Sequence, residues 1–366
     1  MFFTYKFKAK KHKLSEGPHL ILSNHQTTMD PFLLALSFKG PIYFMASEDL
    51  FVKGILSKII QFLVAPIPKK KSVSDARAIK KSLRLIKEGA NICIFPEGNR
   101  TYSGRQCYID PAIAKLILFL KIPVIFYNIK GGYGTSPRWA NNIRRGKMSG
   151  KVVYELSPKA IAKLSEEEVY NLVLEKLNVI EAPSKIAFKS RKRAEKLERV
   201  LYICPKCGHI NTLYSKNKYV KCTECDLAAE YTEYLDFKGV KFNTVDDWYR
   251  YQEEYIKNYQ FVEDDDIIFE DSDVSLYETT KEIGSTFIVN GKLTISKNNL
   301  SLSRDKNIYR FKIEKIDSMT IVGKHKLNFY IGNRTYQLIG KSALNVLKYM
   351  QIFIRIKGGK YELFRL

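Results

Sequence analysis

The sequence predicts an α/β domain with a mostly parallel sheet flanked by helices, followed by a small cysteine-bearing module and a β-rich C-terminal module. Three observations predict it. Short apolar strands alternate with helical stretches over residues 19–130, four cysteines recur in two close pairs between 204 and 225, and from about residue 284 apolar residues alternate with period two.

In order, "HLILSN" and "IYFMA" read as strands with "DPFLLALSF" a helix between them, and "SDARAIKKSLRLIKEG" reads as a helix that Ser74 can cap and Gly89 close. Strand "NICIF", turn "PEGNRTYSG", helix "DPAIAKLILFL" and strand "PVIFYNI" follow. In such a sheet, ligands gather at the carboxyl ends of the strands. Residues 183–200, "PSKIAFKSRKRAEKLERV", suggest a basic helical connector, and a helix "SALNVLKYMQIFIRI" ends the β-rich module. The expected boundaries are therefore 1–182, 183–200, 201–283 and 284–366.

The chain has 366 residues, 45% of them apolar and 13% aromatic, enough for real cores in two or three domains. Its formal net charge of +23 is uneven: residues 1–200 hold 36 Lys+Arg against 16 Asp+Glu, and the rest 25 against 22. The basic half favours anionic partners such as nucleic acid, an anionic membrane face or a phosphorylated or acidic carrier substrate. No secretory signal is evident at the start, and the longest apolar run is cut by Lys115 and Lys121, short of the roughly 20 residues that span a bilayer. The expected location is peripheral, on the cytoplasmic face of a membrane.

"LSNHQTTMDPF" places His25 just past a strand end, with Asp30 five residues on. A carboxylate within reach of one imidazole nitrogen fixes the tautomer and leaves the other nitrogen free to take a proton from a hydroxyl. Asp30 before Pro31 equally suits the start of a helix, as N-cap and N1. "CIFPEGNRTYSG" repeats the pattern past a second strand, where Gly98 permits close backbone approach and Arg100 offers a planar fork to phosphate.

Together these stretches resemble the glycerolipid acyltransferase family, which acylates glycerol 3-phosphate and lysophosphatidic acid. The N-H-x4-D block is Asn24, His25 and Asp30; the F-P-E-G-x-R-[ST] block is Phe95, Pro96, Glu97, Gly98, Arg100 and Thr101. The resemblance spans roughly residues 10–180. It implies an acyltransferase-type fold in which His25 deprotonates an acceptor hydroxyl, Asp30 supports it, and Glu97, Gly98, Arg100 and Thr101 bind the acceptor and its phosphate. Transfer would be direct, from a coenzyme A or acyl carrier protein thioester to a lysophospholipid, most simply 1-acylglycerol 3-phosphate, with no cofactor for that step. Glycerol 3-phosphate or another lysolipid is the alternative acceptor. Where the family usually carries an acceptor-binding Arg, "VAPIPKKKS" offers Lys69, Lys70 and Lys71, which hold phosphate only as point charges. Pro123 matches the family's strand-start proline, and position 99, often Thr in relatives, is Asn.

"DLFVKGILSKIIQFLVAP", residues 49–66, suits either a buried helix or one lying in a membrane interface, and the basic "YKFKAKKHK" nearby favours an anionic surface. Cys204, Cys207, Cys222 and Cys225 form C-x2-C-x14-C-x2-C, close to the spacing of a zinc ribbon. Four thiolates leave no open coordination position, so such a zinc would be structural. A ribbon raises the rival of a non-catalytic binding scaffold. Nucleic acid as its partner is disfavoured, because the segment is not markedly basic and the stretch after it is acidic. The C-terminal strands and helix resemble a pleckstrin-homology-like barrel, with Lys324 and Lys326 on a hairpin as candidate contacts.

Overall fold

The computed structural model of the chain describes residues 5–47, 67–69, 76–280, 284–340 and 344–358. Lys70, Lys71, Ser74 and the 49–66 segment therefore lie outside the described residues.

The first sheet has seven strands: β1 (Tyr5–Ala9), β2 (Leu20–Ser23), β3 (Ile42–Ser47), β4 (Ile67–Lys69), β5 (Asn91–Ile94), β6 (Val124–Lys130) and β7 (Gly146–Leu156). Their spatial order is β1-β7-β6-β2-β5-β3-β4, and every neighbouring pair is parallel except β6 with β7. Both faces are covered, which explains why the central strands are apolar without interruption. Leu20, Leu22, Ile92, Ile94, Val124 and Phe126 pack on the helices Ala76–Lys87, Ala112–Leu120 and Glu166–Leu177. Their neighbours Ile21, Cys93, Ile125 and Tyr127 point the other way, onto Leu33, Leu34 and Phe38 around the helix Asp30–Ala35. Gly89, at φ +85°, closes Ala76–Lys87 as expected.

The cysteine module is a four-stranded antiparallel sheet of β8 (Leu213–Lys216), β9 (Tyr219–Cys222), β10 (Ala228–Tyr231) and β11 (Phe237–Lys238), followed by the helix Val245–Lys257. The last sheet is antiparallel: β12 (Phe269–Thr280), β13 (Gly284–Ile295), β14 (Asn299–Arg304), β15 (Asn307–Lys312), β16 (Ser318–Val322), β17 (Lys326–Ile331) and β18 (Arg334–Ile339), in the order β15-β14-β13-β12-β18-β17-β16. It is closed by the helix Val346–Ile356, capped by the Asn345 side chain. The boundary expected at 284 is too late, since it cuts the β12–β13 hairpin. Acidic residues hide β12 from pattern reading, and a register shift between Asp271 and Val274, with Asp273 at φ +59°, breaks its alternation.

The connector is also not the expected helix. Among residues 183–200 the only helical turn is a short 3-10 segment, Leu197–Arg199. From 194 on, several of the connector's amides bond three residues back in turns, and others reach distant partners: Phe188 donates to the Glu233 carbonyl, Lys189 and Arg145 exchange backbone bonds, and Ala194 donates to Asn217. Phe188, Ala194, Leu197 and Val200 enter one core that runs from Tyr102 to Ile354. At its far end, buried Lys348 pairs with Asp271 (2.5 Å) and donates to the Asn211 side chain (2.6 Å), joining the last helix, β12 and the cysteine module.

Phe188 is seated between two glycines. A Cβ on Gly134 would lie 2.4 Å from its ring and one on Gly146 2.2 Å from it. Gly146→Ala should therefore lower stability by about 1–3 kcal/mol through overpacking, read as a lower urea midpoint. An unchanged midpoint would mean that the connector is not locked there.

Candidate active site

The sequence ends β2 at Ser23, and the next three residues are fastened individually. The Asn24 side chain donates to the Ile129 carbonyl (2.9 Å) and accepts from the Ile129 amide (2.8 Å), so the loop is tied to β6 like an added strand. Gln26 Oε1 accepts the Gly132 amide at 2.9 Å, fixing the loop's far side. His25 sits between these anchors at the carboxyl edge of the sheet.

Asp30 is fully buried. Its Oδ2 accepts the amides of Gln26 (2.6 Å) and Thr27 (2.9 Å) and lies 2.8 Å from His25 Nδ1, while its Oδ1 accepts the Thr27 hydroxyl at 2.8 Å. A buried carboxylate is tolerated only with such a complement of donors. Asp30 opens the Asp30–Ala35 helix, yet it does not cap it: its bonds reach back to preceding residues. With Nδ1–H donating to Asp30, His25 Nε2 carries the free lone pair. The ring stacks on Phe95, with centroids 4.5 Å apart, and its side chain is one-fifth exposed.

Burial lowers the His25 pKa below its ordinary 6.5, against the raising effect of Asp30, and the charges of Arg100 and Arg138 push it further down. The imidazole is therefore neutral at neutral pH, as a proton acceptor must be.

The second stretch comes to the same place and grips His25 from outside. Glu97 Oε1 accepts the His25 amide (2.8 Å), Glu97 Oε2 accepts the Cys107 amide (2.7 Å), and the Thr101 amide donates to the His25 carbonyl (3.1 Å). Both Glu97 oxygens are thus engaged by backbone, so the residue braces the His25 loop from outside. Burial raises its pKa to about 7. Gly98 makes the turn at φ +64°, where a side chain would be strained. Thr101 is buried, its hydroxyl accepting from the Gly104 amide (2.9 Å). Arg100 is half-buried, and its positive charge bears on His25. Of the three lysines only Lys69 is described, as the end of β4; its side chain is not.

Sequence reasoning missed three supports. Thr27, three residues before Asp30, could have been found as a hydroxyl placed to meet a carboxylate. Gln26 and Arg138 carry no local signal, since their partners are more than a hundred and about forty residues away. Cys93 and Cys107 are buried free thiols.

The four paired cysteines form a second site well separated in sequence. Their sulfurs all lie within 4.8 Å of one another, Cys204 to Cys225 at 3.6 Å and Cys207 to Cys222 at 3.8 Å, an arrangement that could hold one metal ion.

A buried carboxylate, an oriented neutral imidazole and a neighbouring arginine thus meet at the sheet's carboxyl edge. In comparison with known proteins, residues 5–130 match the family model described as Acyltransferase. A chloroplastic 1-acyl-sn-glycerol-3-phosphate acyltransferase of Brassica napus is 23% identical over 167 residues, 45% of this chain and 48% of that protein. One from Arabidopsis thaliana is 32% identical over 92 residues, 25% of this chain and 26% of that protein. The chain thus spans about half or less of these relatives' length. The crystal structure of a Thermotoga maritima 1-acyl-sn-glycerophosphate acyltransferase, 23% identical, covers 46% of this chain and 69% of its own, with a TM-score of 0.38, too low to define a shared fold.

Titration of Glu97 gives a test of this brace. Because its folded pKa stands near 7 and the ordinary value is 4.5, the folded state binds the proton more tightly, and stability falls as pH rises from about 4.5 to about 7. Glu97→Gln should flatten that slope in denaturant melts across the interval. Equal slopes would place the Glu97 carboxyl back at its ordinary value.

Proposed function

We propose that the protein is an O-acyltransferase that moves a fatty acyl chain from a coenzyme A or acyl carrier protein thioester to the free hydroxyl of a lysophospholipid, 1-acyl-sn-glycerol 3-phosphate being the preferred acceptor. The observation that carries this is the 2.8 Å bond between His25 Nδ1 and buried Asp30, made beside a turn that presents Arg100. It is supported by the family match over residues 5–130 and by relatives named for this acceptor.

In the reaction, Nε2 of His25 takes the hydroxyl proton as the oxygen attacks the thioester carbonyl. The imidazolium so formed is stabilised by Asp30, whose other hydrogen-bond partners, two amides and a hydroxyl, are neutral. Collapse of the tetrahedral intermediate breaks the C–S bond, and the departing thiolate takes the proton back. No acyl-enzyme and no metal enter this sequence. Arg100 and the lysines 69–71 anchor the acceptor's phosphate, and the lowered His25 pKa sets turnover to rise with pH through a value below 6.5 and then level off.

The four cysteines hold a structural zinc in this reading. With Zn–S bonds of about 2.3 Å, a tetrahedron has sulfur–sulfur edges of about 3.8 Å; two of the pairs stand at 3.6 and 3.8 Å, and all lie within 4.8 Å. The basic N-terminal half would dock on the anionic cytoplasmic face of a membrane; no helix among the described residues is long and apolar enough to cross one.

Purified protein given labelled acyl-coenzyme A or acyl carrier protein with lysophosphatidic acid should form phosphatidic acid, whereas a non-catalytic scaffold forms none. His25→Ala should lower turnover by about 10²-fold or more with the circular dichroism unchanged; full activity in this variant would reject the base. Cys204→Ser should release zinc, measured by atomic absorption, and lower the melting temperature. Retention of stoichiometric metal would reject the four-cysteine site.

A further inference from the structure

The turn that carries Arg100 does not stand alone. Arg138, 3% exposed, lies beneath it and spends its whole guanidinium on oxygen acceptors from two distant parts of the chain. Its Nη1 donates to the Arg100 carbonyl (3.2 Å) and the Asn99 side chain (3.4 Å). Its Nε and Nη2 donate to the Gly323 and Ile321 carbonyls (3.2 and 3.1 Å), on the hairpin between β16 and β17 of the last sheet. The guanidinium carbon sits 4.2 Å from the centre of the Tyr102 ring. From the other side, Lys324 at the hairpin tip donates to the Ala140 carbonyl, two residues past Arg138.

This arrangement suits arginine alone. Only a planar fork with several fixed N–H directions can serve both segments at once. None of its four acceptors is a carboxylate, so its charge is left unneutralised by them and adds to that of Arg100 beside His25.

We propose that Arg138 is a positioning residue: it holds the Arg100 turn against the β16–β17 hairpin, so that the C-terminal sheet forms part of the acceptor's phosphate site. The link to phosphate rests on the proposed role of Arg100; the clamp itself does not. Lys324 closes the same joint, and burial together with the nearby charges of Arg199 and Arg100 lowers its pKa.

The test uses the full chain. In Arg138→Met, the KM for lysophosphatidic acid should rise about tenfold while the KM for acyl-coenzyme A and kcat stay within about twofold. Arg138→Lys should not restore it, because the charge returns without the fork. A merely structural role would reduce the active fraction and leave both KM values alone, and that result overturns the proposal. Lys324→Met, which removes one stitch and keeps the guanidinium, should raise the same KM severalfold and serves if the arginine variants do not fold; an unchanged acceptor KM there counts against the joint. Hydrogen exchange of residues 95–104, measured without substrate, should quicken in each folded variant. Unchanged exchange refutes the clamp whether or not the protein acylates lysophosphatidic acid, whereas wild-type protein that forms no phosphatidic acid refutes only the catalytic reading.

Discussion

One buried carboxylate organises the centre of this molecule. Asp30 lies out of reach of water, and its two oxygens are met by two amides, a hydroxyl and an imidazole within a span of six residues. Desolvating a carboxylate is costly unless each lone pair is matched, so the loop from His25 to Thr27 has little freedom to depart from this conformation. The tautomer of His25 follows from the same bond. The orientation of the imidazole and the shape of the loop are therefore a single constraint.

Around that constraint the chain builds two layers of support from far away in sequence. The Asn24 side chain extends β2 across to β6, and Glu97 joins the His25 amide to the Cys107 amide. The loop that continues from Glu97 is then held by the rest of the chain: Ser103 donates to Asp246 (2.8 Å), Arg105 pairs with the same carboxylate (2.6 Å), and Tyr102 is buried in the core that reaches Ile354. The appended modules thus bear directly on the loop that shapes the site.

Much of this was legible in the sequence, and the limits have physical causes. The strands β2, β5 and β6 are continuous apolar runs bounded by polar turns, a pattern that only burial on both faces produces. His25 and Asp30 were legible because both partners lie in one loop, and the four cysteines because their spacing is itself the geometry. The bracing bonds of Glu97 were not legible, since an acidic residue in a turn gives no hint that two backbone amides, one of them 72 residues away, will meet it. The connector read as a helix because its charge pattern allows one; its amides found better partners in Glu233, Arg145 and Asn217, which no local window contains. Arg138 was invisible for the same reason: its meaning lies in carbonyls, which every residue has.

The aromatic ring of Phe188 fills a slot that exists only because residues 134 and 146 lack side chains, and it lies in a segment whose backbone is shared between the first sheet and the cysteine module. The slot therefore works as a keyed joint rather than a hinge. Severing the chain near residue 183 would leave the keyhole open and the face carrying Tyr102 and Trp139 bare to solvent. For this polypeptide, the smallest autonomous folding unit containing His25 is larger than the stretch from His25 to Thr101.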